Sequence, residues 1–414
     1  MERSRSPHRL LTRFSTSISS PGTLARLAAS GVRIASSWRD WGRGALLILR
    51  HRIGQDLQGW SPKTPVVLDL TAPELSRYIY LTARAFHDAG HRVTVAVSPS
   101  EVGRWRQNAR FTLDIPGVAV SFRDGLRASP DAIYVTDRDV VSTAGWKAVL
   151  HVRYDWYDAP SDALALPYPM HPNQYALGLH EQLEALRRRP RSIGVLFSGN
   201  ADRNAYDAGE MERLFRVTNR SEIVGALPGL VSPGSYVALQ APTRGAGPWA
   251  ASDVPRAAEE QGVDLSTGVV LLEGWRVHSS EWMGLLAQAA FFIAPPGVAM
   301  PHSHNIIESM AVGTIPITNY GHLMKPPLTE TEALHFSTTG ELADCLRRAL
   351  DMPETERTTM SAAAASYYEA HLAGEAFGAQ VERALRGGVR SETLYVNAEQ
   401  RTVQAMRYTG AADG

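Results

Sequence analysis

The chain reads FFIAPPGVAMPHSHNIIESMAVGTIPITNY over residues 291–320. We predict that this stretch folds as a strand, a turn, a helix and a second strand. The first apolar run stops at PPG, residues 295–297, which cannot continue a buried ladder. Beyond the turn, apolar residues recur from Ile307 with the i, i+3, i+4, i+7 spacing of one helical face. Gly313 suits the left-handed end of that helix. The stretch therefore predicts part of an open α/β sheet.

The start of this predicted helix favours an anionic ligand. Ser303 or Asn305 is expected to cap it. Uncapped amides at the carboxyl edge of a strand typically bind a phosphate, and His302 or His304 can join them. Glu308 lies one turn into the helix, on the face beside the buried one. A carboxylate at this place can accept hydrogen bonds from a ribose.

The order P-x-G, loop, NIIESMA-x-GTIPI resembles the donor-nucleotide element of GT-B glycosyltransferases, and is most similar to exostosin-like members. The resemblance implies two Rossmann-like domains with parallel sheets that face across a cleft, and a C-terminal helix that crosses back. It assigns the ribose to Glu308 and the diphosphate to the loop that begins at Gly297. Many retaining members have a second Glu eight positions earlier, where this chain has Met300. The resemblance therefore implies an inverting enzyme.

The rest of the chain predicts two α/β halves. Residues 66–97 read as strand, helix, strand with short connections, which is typical of a parallel sheet. No G-x-G-x-x-G follows the first strand. The sequence therefore lacks the strongest support for the hypothesis of a dinucleotide-dependent oxidoreductase. We expect four parts: a basic, partly disordered or helical segment 1–60, an acceptor-side Rossmann-like domain 61–185, a nucleotide-sugar-binding Rossmann-like domain 186–365, and a crossing helix and tail 366–414. Residues 387–414 show little pattern.

Composition narrows the function classes. The 414 residues have a formal net charge of zero, which does not indicate a nucleic-acid partner. The one cysteine, Cys345, excludes an internal disulfide framework and fits a cytoplasmic location. Residues 1–53 contain ten Arg and two acids. Besides a partly disordered or helical segment, this excess of arginine suggests peripheral contact with an anionic membrane.

Further site residues come from loops at the ends of predicted strands. Asn200 and Arg203 follow the strand at 193–197, where backbone amides and a cation can approach a diphosphate. Lys325 lies in a later loop of the same kind. In the first half, Glu74 and Arg77 border the first-strand loop. We expect these two to position the acceptor.

The predicted reaction needs a base but no bound cofactor. His302 and His304 are two residues apart and point away from each other in a helix, so a shared metal is not expected. In an inverting reaction one group takes the proton of the acceptor hydroxyl. The candidates are Asp155, Asp158 and His171, and the sequence does not choose among them.

These observations predict a metal-independent glycosyltransferase. Its donor is a nucleotide diphosphate-sugar, and its acceptor is a glycan, a lipid-linked molecule or a small molecule. One alternative is a nucleotide-sugar epimerase on the same fold, which needs catalytic carboxylates and no acceptor. Another is a non-catalytic relic that binds glycan or nucleotide.

Overall fold

The computed structural model describes most of the chain between residues 42 and 397. Within that span it leaves out residues 48–62, 72–75, 106, 139–141, 201–209, 233–234, 241–247, 263, 274–275, 299 and 389. Of the predicted basic segment 1–60 it describes a short helix, α1, at residues 42–47. Membrane contact through the rest of that segment stays a prediction.

The first half of the chain builds a six-stranded sheet. Its strands are β1 (Lys63–Asp69), β2 (His91–Val97), β3 (Ala119–Phe122), β4 (Ile133–Thr136), β5 (Ala148–Arg153) and β12 (Ser391–Tyr395). They lie in the order β12-β5-β4-β1-β2-β3, and each neighbouring pair is parallel. This is the Rossmann order, in which the connections change sides between β1 and β4.

The second half builds another six-stranded parallel sheet. Its strands are β6 (Ile193–Ser198), β7 (Tyr236–Gln240), β8 (Val269–Glu273), β9 (Ala289–Ile293), β10 (Ile315–Thr318) and β11 (Leu334–His335). Their order is β11-β10-β9-β6-β8-β7. All residues of β9 and β10 are buried, as expected for strands covered on both faces. The predicted α/β class with two parallel sheets is confirmed.

Helices cover these sheets and connect them. They are α2 (Ser76–Asp88), α3 (Pro99–Arg104), α4 (Pro172–Ala176), α5 (Leu183–Arg187), α6 (Glu210–Phe215), α7 (Arg220–Leu230), α8 (Asp253–Glu260), α9 (Ser279–Leu286), α10 (His304–Ala311), α11 (Thr339–Asp351), α12 (Glu354–Tyr367) and α13 (Gly374–Ala384). Helix α10 is the predicted central helix, and Gly313 behind it has φ +72°. None of the helices in the described ranges is long and apolar enough to span a membrane.

Strand β12 differs from the prediction of an unpatterned tail. Residues 391–395 pair with β5 in parallel register, from Ser391 opposite Val149 to Tyr395 opposite Arg153. The segment is SETLY, and Leu394 is its one fully buried residue. An edge strand with a single buried side chain lacks the alternation that identifies strands in a sequence.

The C-terminal helix returns to the first domain, as predicted. Helix α13 packs on α2, and the ring centroids of Phe377 and Phe86 lie 5.1 Å apart. The helix begins at Gly374, where an added Cβ would lie 2.1 Å from the Asp88 Cβ. This close approach requires glycine at that position.

We predict that Gly374→Ala destabilises the protein by about 1–3 kcal/mol, because the added methyl overpacks the contact with Asp88. Gly340→Ala is the matched control, since a Cβ at this exposed helical position comes no closer than 3.8 Å to its nearest neighbour, Thr338. The control is expected to lose nothing. Urea denaturation measures both unfolding free energies, and equal stability of the two variants would contradict the close packing.

Candidate active site

Two loops meet at the carboxyl edge of the second sheet. Gly199 and Asn200 follow β6, residues 294–297 follow β9, and these two strands are direct neighbours. Strands β8 and β7 lie on one side of β6 in the sheet. Strands β9, β10 and β11 lie on its other side. Open α/β sheets bind ligands at such topological switch points. We call these two loops, Arg220 and the amino end of α10 the switch-point site.

A buried arginine ties the two loops together. Arg220, the first residue of α7, is 7% exposed. Its Nη1 donates to the Asn200 carbonyl at 3.3 Å, and its Nε donates to the Pro296 carbonyl at 3.1 Å. The guanidinium places a positive charge at the edge of β6 and β9, where its planar fork suits phosphate oxygens. The sequence analysis missed Arg220 because it belongs to no motif and its contacts join distant parts of the chain.

The amino end of α10 approaches the same edge. Ser303 is its N-cap residue, but the Ser303 side chain makes no capping hydrogen bond. A Cβ placed on Gly199 would lie 3.8 Å from the Asn305 Nδ2 and 3.7 Å from the Arg220 Nη1. The structure therefore brings the predicted Asn200 and Asn305 together with Arg220.

Gly297 shapes the turn between β9 and α10. Its N–H donates to the Pro301 carbonyl at 3.0 Å. A Cβ at Gly297 would lie 2.6 Å from the Met300 carbonyl oxygen and 3.1 Å from that of His302. Glycine is needed here because the backbone passes so closely. A role of this loop toward a diphosphate stays a prediction.

The helical spacing had placed Glu308 on the face beside the buried one. In the structure Glu308 is itself buried. It is 1% exposed, and its Oε1 accepts from the His171 N–H at 2.8 Å. Its Oε2 accepts from the Trp282 Nε1–H at 2.6 Å. Burial raises the pKa of Glu308, while these two hydrogen bonds oppose the rise. The helical spacing does not report this burial, because the residues that cover Glu308 come from distant segments of the chain. Contact with a ribose stays a prediction, and it requires this cover to open.

We predict that Glu308→Ala destabilises the protein by about 2–4 kcal/mol, because it leaves the His171 and Trp282 donors unpaired in a buried place. The control is Glu184→Ala, since Glu184 has an exposed side chain and, among the described residues, forms an ion pair only with Arg188 across one helical turn. A surface change of this kind stays within about 0.5 kcal/mol. Urea denaturation measures the free energy of unfolding of both variants. A loss in Glu308→Ala no larger than that in Glu184→Ala would contradict the buried hydrogen bonds to Glu308.

His302 lies at the contact between the two halves of the chain. It is 3% exposed, and its Nδ1 lies 2.9 Å from the Tyr157 hydroxyl. Its ring centroid lies 4.7 Å from that of Trp156. Burial, helped by the charge of Lys325, lowers the pKa of His302 to about 3. The residue is therefore neutral at ordinary pH, and its predicted place beside a diphosphate stays a prediction.

This buried imidazole makes stability depend on pH. With a pKa of about 3 when folded and an ordinary value when unfolded, His302 binds fewer protons in the folded state. The stability it contributes is present above the unfolded pKa and is lost as pH falls. Between about pH 7 and about pH 5 we expect wild type to lose about 2 kcal/mol more than His302→Gln. Urea titrations at each pH measure this difference, and parallel curves would contradict it.

His304 and His171 face each other beside a segment between the two sheets, residues 156–175, which we call the linker. The His304 Nδ1 donates to the Pro169 carbonyl at 2.8 Å, and the two imidazole centroids lie 5.3 Å apart. The His171 Nδ1 accepts from the Asn173 N–H at 3.2 Å and so caps α4. Burial lowers the pKa of His171. This cap engages the lone pair that a general base needs, so the geometry disfavours the predicted base role of His171.

Lys325 reaches the linker and not the switch-point site. Its Nζ donates to the Ala159 carbonyl at 2.7 Å. Burial lowers the pKa of Lys325, and the charge of Asp158 opposes this. Asp155, the other acidic candidate, accepts from the Arg153 Nη2 at 2.6 Å. The predicted contact of Lys325 with the donor stays a prediction.

The first sheet has polar groups at its own switch point, between β1 and β4. Asp69 is fully buried and accepts from the Arg123 Nε at 2.6 Å. Asp137 follows β4 and accepts from the Thr71 N–H at 2.8 Å. Asp137 also begins an Asp-x-Asp sequence that the sequence analysis overlooked, although its second member, Asp139, is not described. In the described part of the chain, no group of three His, Cys, Asp or Glu is placed to hold a metal.

Three predicted residues cannot be placed. Glu74 and Arg203 lie outside the described residues, and so does the side chain of Arg77. Their roles at the acceptor and the diphosphate stay predictions.

No known family model matches this sequence, and no curated protein matches it. Solved structures of low identity are similar to it. HepE from Anabaena, in complex with UDP and glucose, is 10% identical with a TM-score of 0.37, and the match covers 78% of this chain and 100% of that one.

Two further solved structures give similar values. AviGT4, a glycosyltransferase involved in avilamycin A biosynthesis, is 15% identical with a TM-score of 0.39, over 77% of this chain and 96% of that one. The sucrose-phosphate synthase of Thermosynechococcus elongatus is 16% identical with a TM-score of 0.30, over 78% and 73%.

Proposed function

We propose that this chain is a glycosyltransferase that moves a sugar from a nucleotide diphosphate-sugar to an acceptor hydroxyl. The observation that carries the proposal is the convergence of Arg220, Gly199 and Asn305 at the carboxyl edge of β6 and β9. A glycine next to a guanidinium and an amide side chain leaves room for a ligand with several acceptor oxygens. A diphosphate is such a ligand.

The chemistry follows from where negative charge develops. When the glycosidic bond to the donor breaks, the leaving diphosphate gains charge. The Arg220 guanidinium and the first amides of α10 are fixed before the reaction and stabilise this charge without reorganising. The proposed enzyme therefore needs no metal ion for this step.

The sequence of residues 291–320 supports the same assignment through its resemblance to exostosin-like enzymes. The position eight residues before Glu308 is occupied by Met300, which is 4% exposed and packs in the core. A second carboxylate is absent there, which supports an inverting outcome. The base then comes from Asp155 or Asp158, since the ring of His171 caps a helix.

The acceptor is proposed to approach from the first sheet. The ends of β1 and β4 form that sheet's switch point, beside Asp69 and Asp137. The proposed acceptor is a glycan, a lipid-linked molecule or a small molecule. A cytoplasmic location and membrane contact through the basic N-terminus belong to the same proposal.

We predict that Arg220→Met weakens nucleoside diphosphate binding at least about tenfold, because a charge-assisted contact to the diphosphate is lost. Calorimetric titration with UDP, GDP, ADP and dTDP measures this, after circular dichroism has shown that the variant is folded. Arg213→Met is the control, since Arg213 is exposed on the preceding helix. Unchanged affinity in folded Arg220→Met would contradict the proposed donor site.

One assay separates the three functional hypotheses. The protein is incubated with nucleotide-sugars, with and without an acceptor panel, and free nucleoside diphosphate is measured. A transferase releases it only when an acceptor is present. Sugar conversion without acceptor would indicate an epimerase, and tight binding without turnover would indicate a binding relic.

A further inference from the structure

A cavity of about 410 Å³ lies where three connecting segments meet. Its walls come from linker residues between 156 and 168, from His302 and residues 324–326 of the second half, and from residues between 370 and 384 at the C-terminal end. We call it the hinge cavity. Its volume is within the range of small-ligand sites. It contains none of the switch-point residues, so it is a separate feature of the molecule.

The hinge cavity carries more positive than negative charge. Lys325 and Arg383 line it, with one carboxylate, Asp162. The Lys325 Nζ lies 5.2 Å from the Trp156 ring centroid, over one face of the ring. The cavity also has a neutral polar group in Gln380. Two cations beside an aromatic wall suit a ligand that joins an anionic group to an organic part.

His302 forms a buried part of the cavity wall. The Asn397 Nδ2 donates to the Tyr157 hydroxyl oxygen at 3.3 Å, and that hydroxyl lies 2.9 Å from the His302 Nδ1. These contacts hold the imidazole in place. Among the described residues, the His302 Nε2 has no hydrogen-bond partner. Since the Nε2 atom is itself buried, His302 contributes a ring beside Trp156 to the cavity wall and not a donor to a ligand.

We propose that the hinge cavity binds a small phosphate monoester. Its phosphate oxygens accept from Lys325, from Arg383 and from the amide of Gln380, and its organic part lies against Trp156. A phosphate monoester has several strong acceptor oxygens and up to two negative charges, which matches two cations and one neutral donor. This site goes beyond the proposed transferase activity and does not depend on it.

Calorimetric titration of the full chain with inorganic phosphate and glycerol 3-phosphate tests the proposal, with glycerol as the uncharged comparison. We expect saturable binding of both phosphates and none of glycerol. Arg383→Met is expected to lower the affinity at least about tenfold, since it removes a charge-assisted contact. Lys325→Met is expected to do the same. Arg386→Met is the control, because Arg386 is exposed nearby and does not line the cavity.

Arg220→Met distinguishes this site from the donor site. In that variant glycerol 3-phosphate binding is expected to persist, whether or not nucleoside diphosphate binding is lost. Three results would overturn the proposal: no phosphate binding by the folded wild type, equal affinity in wild type and Arg383→Met, or loss of glycerol 3-phosphate binding in Arg220→Met alone. Arg383 is exposed, so its variant is expected to fold even if Lys325→Met does not.

Discussion

The buried carboxylate of Glu308 is the interaction on which the arrangement of this molecule depends. A carboxylate with 1% exposure is stable only when hydrogen bonds replace its water. Here the donors are the His171 N–H of the linker and the indole N–H of Trp282 on α9. One side chain thus holds α10, α9 and the linker together. The same contact fixes α10 against the linker.

This constraint explains the division of polar residues around α10. On the side of the second sheet, Asn305 approaches Gly199 and Arg220. On the linker side, His302 packs on Trp156 and His304 bonds to Pro169. The residues on the first side are suited to a diphosphate. Those on the second side hold the two halves together and border the hinge cavity.

Much of the fold could be predicted because its signals are local. Continuous apolar runs marked buried parallel strands such as β9, and Gly313 marked the end of α10. The site was predicted less well, since its chemistry depends on contacts between distant segments. The cover over Glu308 comes from Trp282 and His171, and no spacing rule reports it. Arg220 was not predicted for the same reason, since its contacts join distant segments of the chain.

Neutral His302 shows a second limit of sequence reasoning. A histidine near a helix start suggests positive charge, yet burial between aromatic rings removes that charge. Lys325 was assigned to the donor from its place in a loop, but the loop carries it to the Ala159 carbonyl of the linker. In both cases the residue type was informative, and the direction of the side chain was decided by the packing of the two halves.

The most direct test of the central claim is a crystal structure of the full chain with a bound nucleoside diphosphate. The account predicts diphosphate density at the carboxyl edge of β6 and β9, within hydrogen-bond distance of the Arg220 guanidinium and the first amides of α10. A diphosphate found in the hinge cavity or at the edge of the first sheet, with the switch-point site empty, would contradict it.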